Sequence, residues 1–408
     1  MEMYRVFEKN DKIVLFDITE CKWYRMSKKY YLENEQQLLS EFTKKSKDQD
    51  VRIKTLYLSL TRKCNMACEF CSSESGPNVD TAGELTFEEI GSKLLPLLLE
   101  SNPKNLILSG GEPLTRKDIL DIIELFSTNL PECNLVLQTN GLLLNSDILS
   151  AIKGKIKYIE LSVEDMFYSK SLCRKLTEVF EVIKKANIPM QFSYVISRDN
   201  MKYIKEVIKL VERYDTPILL RFVSPIGNAA NKKIQFMYQE DIKRFYLEMI
   251  DYIIDNKCIN ENVLNIVLSP LQVTDSCGAY GKMIYMDSKG GLALCSGLNF
   301  SPYVIGNVRE KMENKYRQKM SNILVNDDVE KRLLVDKMER CKECDVKYFC
   351  CGVCAAKTYN TSNEEILYAD CRIKKILVYF WLFDFKQNTD MLENLLILKE
   401  RIIDEYDQ

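Results

Sequence analysis

The stretch Thr61-Arg-Lys-Cys64-Asn-Met-Ala-Cys68-Glu-Phe-Cys71 sets three cysteines in the spacing C-x3-C-x2-C. So tight a spacing lets one loop wrap a single iron–sulfur cluster, with a thiolate on each of three irons. A fourth cysteine close by is missing; the next one is Cys133. A cluster held in this way keeps one iron open to chelate a small molecule. Taken alone, the loop also reads as three of the four ligands of a zinc ion, or as three buried structural thiols.

The fold is read outward from this loop. The residues just before it, Thr55–Leu60, form a short apolar strand. From there the pattern alternates. Strands are expected at Asn105–Ser109, Asn134–Gln138, Tyr158–Ser162, Met190–Val195 and Ile218–Phe222. Amphipathic helices are expected near Phe87–Glu100, Lys117–Ser127, Ser146–Ile152, Leu172–Ala186 and Tyr203–Tyr214. Crossovers of this length demand a parallel sheet covered by helices, so the fold class is α/β. Six repeats suit a partial (β/α)6 barrel better than a closed eightfold one. Chemistry in such folds gathers at the carboxyl ends of the strands, where the cysteine loop falls.

Composition narrows the class. The chain has 408 residues, enough for two or three domains, with 46% hydrophobic and 28% charged residues, as in a globular protein. A net charge of −2 gives no bulk attraction for nucleic acid. Met1–Asp11 lacks the form of a secretion signal, and the longest strongly apolar run, Ile376–Phe383, is too short to cross a bilayer. A cytoplasmic protein is expected, with neither nucleic acid nor membrane as a partner. There are 15 cysteines and no histidine. Clustered cysteines in a cytoplasmic chain mean metal rather than disulfides. The lack of histidine removes zinc sites with a His ligand, the commonest general base and the usual triads. A cofactor is then expected to carry the difficult chemistry.

Five segments are expected. Residues 1–52 form a small α+β unit, with strands Tyr4–Glu8, Ile13–Ile18 and Lys22–Met26, a helix Glu33–Lys45 and a polar linker at 44–50. Residues 53–235 form the core, and 236–275 a linking helix (239–256) and strand. Residues 276–375 are loop-rich and cysteine-rich, with a strand–turn–strand at Ile284–Cys295. Residues 376–408 close the chain as a mostly helical segment; the helical pattern itself runs over Ile373–Tyr406 and breaks near Asn388. The cysteine-rich part reads Cys277, Gly290, Cys295, then Cys341-x2-Cys344-x5-Cys350-x3-Cys354, and finally Cys371. Seven cysteines in this order exceed what one zinc needs, although a zinc-ribbon-like knuckle is the plain alternative. Cys21, Cys133, Cys173 and Cys258 fall outside both arrays and read as buried free thiols.

With Phe70 as its aromatic residue, the first loop resembles the C-x3-C-x-aromatic-C signature of the radical S-adenosylmethionine (SAM) superfamily. The second core strand ends in Gly110-Gly111-Glu112-Pro113, similar to that family's GGEP motif. The resemblance covers roughly residues 54–230, up to the sixth-strand end Arg221-Phe-Val-Ser-Pro225-Ile-Gly227-Asn-Ala. It implies a [4Fe–4S] cluster on Cys64, Cys68 and Cys71 whose open iron binds SAM, reductive cleavage of SAM, and a 5′-deoxyadenosyl radical that takes hydrogen from a substrate. It also implies SAM contacts from Phe70, Gly110, Gly111, Glu112, Pro113, Asn140 (in Thr139-Asn140-Gly141), Ser162 and Arg174. Glu112 would face the SAM ammonium and Arg174 its carboxylate. The Asp-Gly that often follows the fourth strand is replaced here by Val163-Glu164-Asp165.

The second array resembles a SPASM domain, which carries two auxiliary [4Fe–4S] clusters. The resemblance assigns Cys277, Cys295 and Cys354 to the first, and Cys341, Cys344, Cys350 and Cys371 to the second, making three clusters in all. Some members fill a fourth place in the first site with a cysteine six residues after its first ligand; here that residue is Met283. An open iron able to bind a substrate thiolate is therefore expected, with Cys351 as an alternative ligand. Sulfatase-maturing members carry an aspartate directly after the cysteine that corresponds to Cys295. Ser296 stands there, which argues against the formylglycine reaction.

The function these resemblances imply is maturation of a ribosomally made peptide, with a thioether or carbon–carbon crosslink as the product. The implied partners are a precursor peptide whose leader adds as a strand to the 1–52 unit, and a flavodoxin- or ferredoxin-type electron donor. Two other readings stand beside it: the same chemistry on a small molecule, cofactor precursor or protein side chain, and a non-catalytic iron–sulfur electron-transfer protein.

Overall fold

A small antiparallel sheet opens the chain. Strands β1 (Tyr4–Lys9), β2 (Lys12–Asp17) and β3 (Lys22–Ser27) pair in the order β1-β2-β3, and helix Lys28–Phe42 packs on β2 and β3. The computed structural model describes residues 4–18, 22–42, 53–231, 234–269, 271–312 and 315–407. Cys21 and the expected linker at 44–50 lie outside the described residues.

The core is a run of parallel strands: β4 (Thr55–Ser59), β5 (Asn105–Ser109), β6 (Asn134–Thr139), β7 (Tyr158–Ser162), β8 (Met190–Ile196) and β9 (Ile218–Phe222). Each expected strand is present within a residue or so of its expected bounds. The intervening helices are there too, including Ser146–Ile152, Lys170–Ala186 and Ile204–Tyr214. The strands form because alternate residues face a wholly apolar layer. Leu56, Leu58, Leu135, Leu137, Ile159, Leu161, Phe192 and Tyr194 are all buried toward the helices. Their partners across that layer come from amphipathic helices: Ile204, Val207, Ile208 and Val211 line one face of Ile204–Tyr214 at helical spacing. Helix ends are marked by local chemistry. Thr86 and Glu89 form a capping box, and Asn102, Asn187, Asp215 and Lys257 stop helices in the left-handed region.

The C-terminal third is joined to this sheet. Strand β10 (Met283–Met286) lies parallel to β4, with Tyr285 opposite Tyr57, and β11 (Gly291–Ala293) and β12 (Val304–Asn307) follow antiparallel. One sheet of nine strands results, in the order β12-β11-β10-β4-β5-β6-β7-β8-β9. The hairpin at 284–295 was legible as strand–turn–strand, whereas β12 and the docking of β10 on β4 were not.

The N-terminal sheet does not stand apart. Phe7, Val14 and Phe16 share a buried cluster with Val335, Val346, Tyr348, Val378, Leu382 and Phe383. Arg5 Nη1 donates to the carbonyls of Cys344 (3.0 Å) and Asp345 (2.8 Å), and Arg25 Nε to that of Leu382 (2.8 Å). No described helix is long and apolar enough to cross a membrane.

Candidate active site and cysteine clusters

The face of the core strands opposite the helices carries polar side chains toward the strand ends. Tyr57 and Ser59 of β4 point the same way, as do Glu160 with Ser162 of β7 and Ser193 with Val195 of β8. Together with Gln138 of β6 and Arg221 of β9 they wall a cavity of about 550 Å³. The loop after β4 brings Cys64, Cys68, Phe70 and Cys71 to the same cavity. Its far wall carries Met283, Tyr285, Cys295, Ser296 and Cys354 from the C-terminal third. The first cysteine array and part of the second therefore meet across one chamber.

The cysteine loop is pinned by backbone contacts. Arg116 Nη1 donates to Leu60 O (2.9 Å) and Leu85 O (3.0 Å), while Asp118 holds its guanidinium from the other side. Gly111 lies against the loop so closely that a Cβ there would meet Lys63 O at 2.3 Å. On the opposite side Gly227, with φ +60°, lets the backbone after β9 reach Cys71 O, where a Cβ would come within 2.6 Å. Asn228 then donates its N to Cys71 O (2.9 Å) and its Nδ2 to Cys68 O (3.1 Å).

The sulfurs are supplied with donors. Met66 N points at Cys64 Sγ (3.4 Å), Ser75 N at Cys71 Sγ (3.4 Å), and Asn140 Nδ2 at Cys64 Sγ (3.9 Å). Such N–H groups favour thiolates, the form a metal cluster needs. Without a metal, burial pushes the Cys64 and Cys68 thiols up, and Asp165, which accepts from Cys68 Sγ at 3.8 Å, adds to the effect at Cys68. Three converging thiols, three N–H donors and a glycine-lined approach make a donor set that fits an iron–sulfur cluster.

The other expected SAM residues divide. Phe70, Gly110, Gly111, Asn140 and Ser162 line the cavity. Pro113 is buried at the start of a short turn of helix behind it. Glu112 sits differently from the expectation that it faces a ligand. Its carboxylate is wholly buried and accepts from Asn140 N (2.8 Å), Thr139 Oγ1 (2.8 Å) and Leu114 N (3.1 Å), tying the end of β5 to that of β6. Arg174 is exposed on helix Lys170–Ala186 and does not reach the cavity. Its place near the start of the helix, rather than on the preceding loop, turns it to the outer surface.

Several wall residues were not singled out from the sequence. Arg221 Nη1 donates to Ser193 Oγ (2.8 Å) and pairs with Glu160 Oε1 (3.3 Å) in the cavity wall. Glu164 is buried, accepts from Val195 N at 2.6 Å, and is pushed up to about 7 by burial, an effect that Asp165 reinforces. The available signal was polarity out of place: Gln138, Glu160 and Arg221 interrupt strands that are otherwise apolar.

The second array runs outward from the cavity. Cys295 and Cys354 face the chamber, and Cys277 lies near Cys295, where burial pushes the Cys295 thiol up. Cys277 hydrogen-bonds with Cys351, which pushes the Cys277 thiol up and holds that of Cys351 down. Cys341, Cys350 and Cys371 are electrostatic neighbours beyond them, and Cys344 lies beside Cys341 and Cys350. Lys374 sits among this outer group. Its burial opposes a charge, but the Asp370 carboxylate 2.8 Å away more than compensates and keeps it protonated. The seven thiols that the SPASM resemblance groups into two sites thus fall in one contiguous region.

Comparison with known proteins bears on both halves. Residues 58–211 match the model of the Radical SAM superfamily. GTP 3′,8-cyclase of Clostridium perfringens strain SM101 is 25% identical over 304 residues, 70% of this chain and 90% of that protein. AdoMet-dependent heme synthase of Methanosarcina barkeri is 26% identical over 339 residues, 75% of this chain and 92% of that one. Among solved structures, native anSMEcpe with bound AdoMet and Cp18Cys peptide aligns with a TM-score of 0.61 at 17% identity, over 86% of this chain and 99% of the other. Streptococcus suis SuiB bound to precursor peptide SuiA aligns at 0.53 and 12%, over 90% and 98%. The two solved structures speak to the fold, and the two curated relatives carry different activities.

Proposed function

This chain carries a radical SAM domain, and from that premise we propose that it matures a ribosomally made peptide, joining an unactivated carbon to sulfur or carbon as a thioether or carbon–carbon crosslink. The observation that carries this reading is the charge of the cavity. Among its described lining residues Arg221 is the one cation, and Glu160 already engages it. Glu160, Glu164 and Asp165 are acidic. A nucleoside triphosphate, the kind of substrate named for the GTP 3′,8-cyclases, would bring several negative charges into that wall. Burying them without matching cations is costly. A peptide segment brings amides and neutral side chains, which the hydroxyl, amide and phenol groups of Ser193, Gln138, Tyr57 and Tyr285 suit.

Cys64, Cys68 and Cys71 would hold the cluster, and Phe70, Gly110, Gly111, Asn140 and Ser162 would border SAM beside it. When bound, cluster and SAM supply one-electron chemistry that removes a hydrogen atom from an unactivated carbon. The chain's own residues position and shield the reacting groups. Gly111 and Gly227 let backbone close over the cysteine loop. Arg221, Glu160 and Ser193 form a hydrogen-bonded polar patch of the wall on which a substrate group can be oriented. A crosslink also requires loss of one proton and one further electron: Glu164, with a pKa of about 7, is the wall carboxyl suited to accept the proton near neutrality, and the clusters that the second cysteine array would hold are the acceptors for the electron.

On the same reading, the second array is a SPASM-type region with two auxiliary clusters, on Cys277, Cys295 and Cys354 and on Cys341, Cys344, Cys350 and Cys371. The β1–β3 sheet offers edges to which a leader peptide would add as a strand. A flavodoxin- or ferredoxin-type protein would supply electrons.

The test is anaerobic co-expression with a short peptide encoded beside this gene, followed by mass spectrometry. A peptide lighter by two hydrogens is the expected result. Unchanged peptide mass from enzyme with intact clusters would sink the proposal. The small-molecule reading, favoured by the sequence relatives, would gain if the same enzyme consumed GTP in a SAM-dependent reaction.

A further inference from the structure

Cys350 and Cys351 are consecutive, yet their thiols find different surroundings. Helix Lys347–Cys350 ends there, and Cys351 adopts φ +62°. Cys350 Sγ accepts from Gly352 N (3.4 Å) and neighbours Cys341, on the outer side of the array. Cys351 Sγ instead donates to Ser276 O (3.4 Å) and touches the thiol of Cys277.

That contact is fixed by backbone pairing on both sides. Cys277 N donates to Leu333 O (2.9 Å), Ser276 bridges Leu334, and Thr274 N donates to Tyr348 O (2.7 Å). The segment carrying Cys277 is thus held between the end of helix Asp327–Leu333 and the turn that presents Cys351. Lys282, whose Nζ donates to Asp275 Oδ1 (3.0 Å) and Ser276 Oγ (2.8 Å), places a positive charge near both thiols. The residue six positions after Cys277 is Met283, whose thioether packs against Gly278 at the cavity wall.

We propose that Cys351 is a fourth thiolate ligand of the first auxiliary site, joining Cys277, Cys295 and Cys354 and closing that cluster against substrate. The inference rests on the reading of the second array as a cluster site. A turn between staggered wells moves a thiol sulfur by about 3 Å, so the touching pair Cys277 and Cys351 can separate onto two corners of one cluster. Each thiol that coordinates releases its proton to solvent. A closed cluster has no iron left for a substrate sulfur, so its part is to pass electrons rather than to bind the peptide.

The experiment uses the full chain with Cys64, Cys68 and Cys71 all replaced by alanine, reconstituted anaerobically. Iron and sulfide per chain are measured, and EPR spectra of the dithionite-reduced protein are recorded with and without cyanide, a probe for open iron. With Cys351 present, cyanide is expected to leave the spectrum unchanged. Adding C351A on this background should let cyanide shift the spectrum or should lower the iron content. C351S, which keeps an oxygen donor, should hold more iron than C351A. A cyanide-shifted spectrum with Cys351 in place, together with unaltered iron and spectra in C351A, would overturn the proposal. Absence of iron from the parent variant would overturn the cluster reading of the array itself.

Discussion

Glu164 ends the polar wall above β7, and its carboxyl has almost no contact with solvent. Burial raises it from the ordinary 4.5 to about 7, so between those values the folded chain binds this proton more tightly than the unfolded chain does. Its contribution to stability is fully present below about pH 4.5 and is lost as the pH rises through 7, an effect on the order of 3 kcal/mol. Glu164→Gln keeps an acceptor for Val195 N and removes the charge. The variant should therefore show a flatter dependence of melting temperature on pH across that window and should gain on the native chain near pH 8. Equal slopes for the two proteins would refute the assignment. At this scale the grouping of Cys64, Cys68 and Cys71 at one cavity was legible, because spacing alone sets them on one loop. The placement of Glu112 and Arg174 was not, since sequence does not say which way a carboxylate at a strand end or an arginine near a helix start will turn. Glu112 turned inward because three donors at the ends of β5 and β6 could satisfy it there.

Between elements, two arginines of unlike worth hold the sheet to its loops. Arg116 is largely buried, forks onto Asp118, and supplies Leu60 O and Leu85 O at the end of β4. Arg116→Ala would leave those carbonyls short of a charged donor and should cost about 2–3 kcal/mol in chemical denaturation. Arg309 makes an equally neat fork onto Glu89 (2.7 and 2.8 Å), linking the end of β12 to the helix after Thr86. It is substantially exposed, so Arg309→Ala should cost less than about 1 kcal/mol. If the two variants lost equal stability, burial would not be what separates them. The alternation of strands and helices from Thr55 to Phe222 was legible because each repeat pairs with its immediate successor. The docking of β10 on β4 was not: it joins Met283 to Thr55 across most of the chain, and no local pattern encodes such a pairing.

Across the whole molecule, the N-terminal sheet and the C-terminal cysteine region share one apolar interior. Phe16 is fully buried within it and packs on Phe349 at a ring distance of 4.7 Å. Phe16→Ala should cost about 3–5 kcal/mol. Because Arg5 caps the carbonyls of Cys344 and Asp345 from the same sheet, the damage should extend beyond β2. Amide hydrogen exchange in peptides covering 341–350 should speed up along with that of β2. Faster exchange confined to residues 4–27 would show that the two regions open independently. The sequence offered residues 1–52 as a separate unit because its local pattern is complete. What it lacks is a second layer for Phe7, Val14 and Phe16, and that layer comes from residues 335–383.

The shared interior also has a timetable. Residues 4–27 leave the ribosome well before the surface that covers Phe7, Val14 and Phe16, which is not complete until residue 383 has been translated. At elongation speeds of about 5–20 residues per second, that wait lasts tens of seconds. Over much of the same interval β4 has an unpaired edge, because β10 has not yet been synthesised. The nascent chain therefore carries two exposed adhesive surfaces until β10 is made, and one of them until residue 383. The cysteine loop has its own backbone partners, Gly227 and Asn228 included, long before the far wall of its chamber, which carries Cys295 and Cys354, has been made.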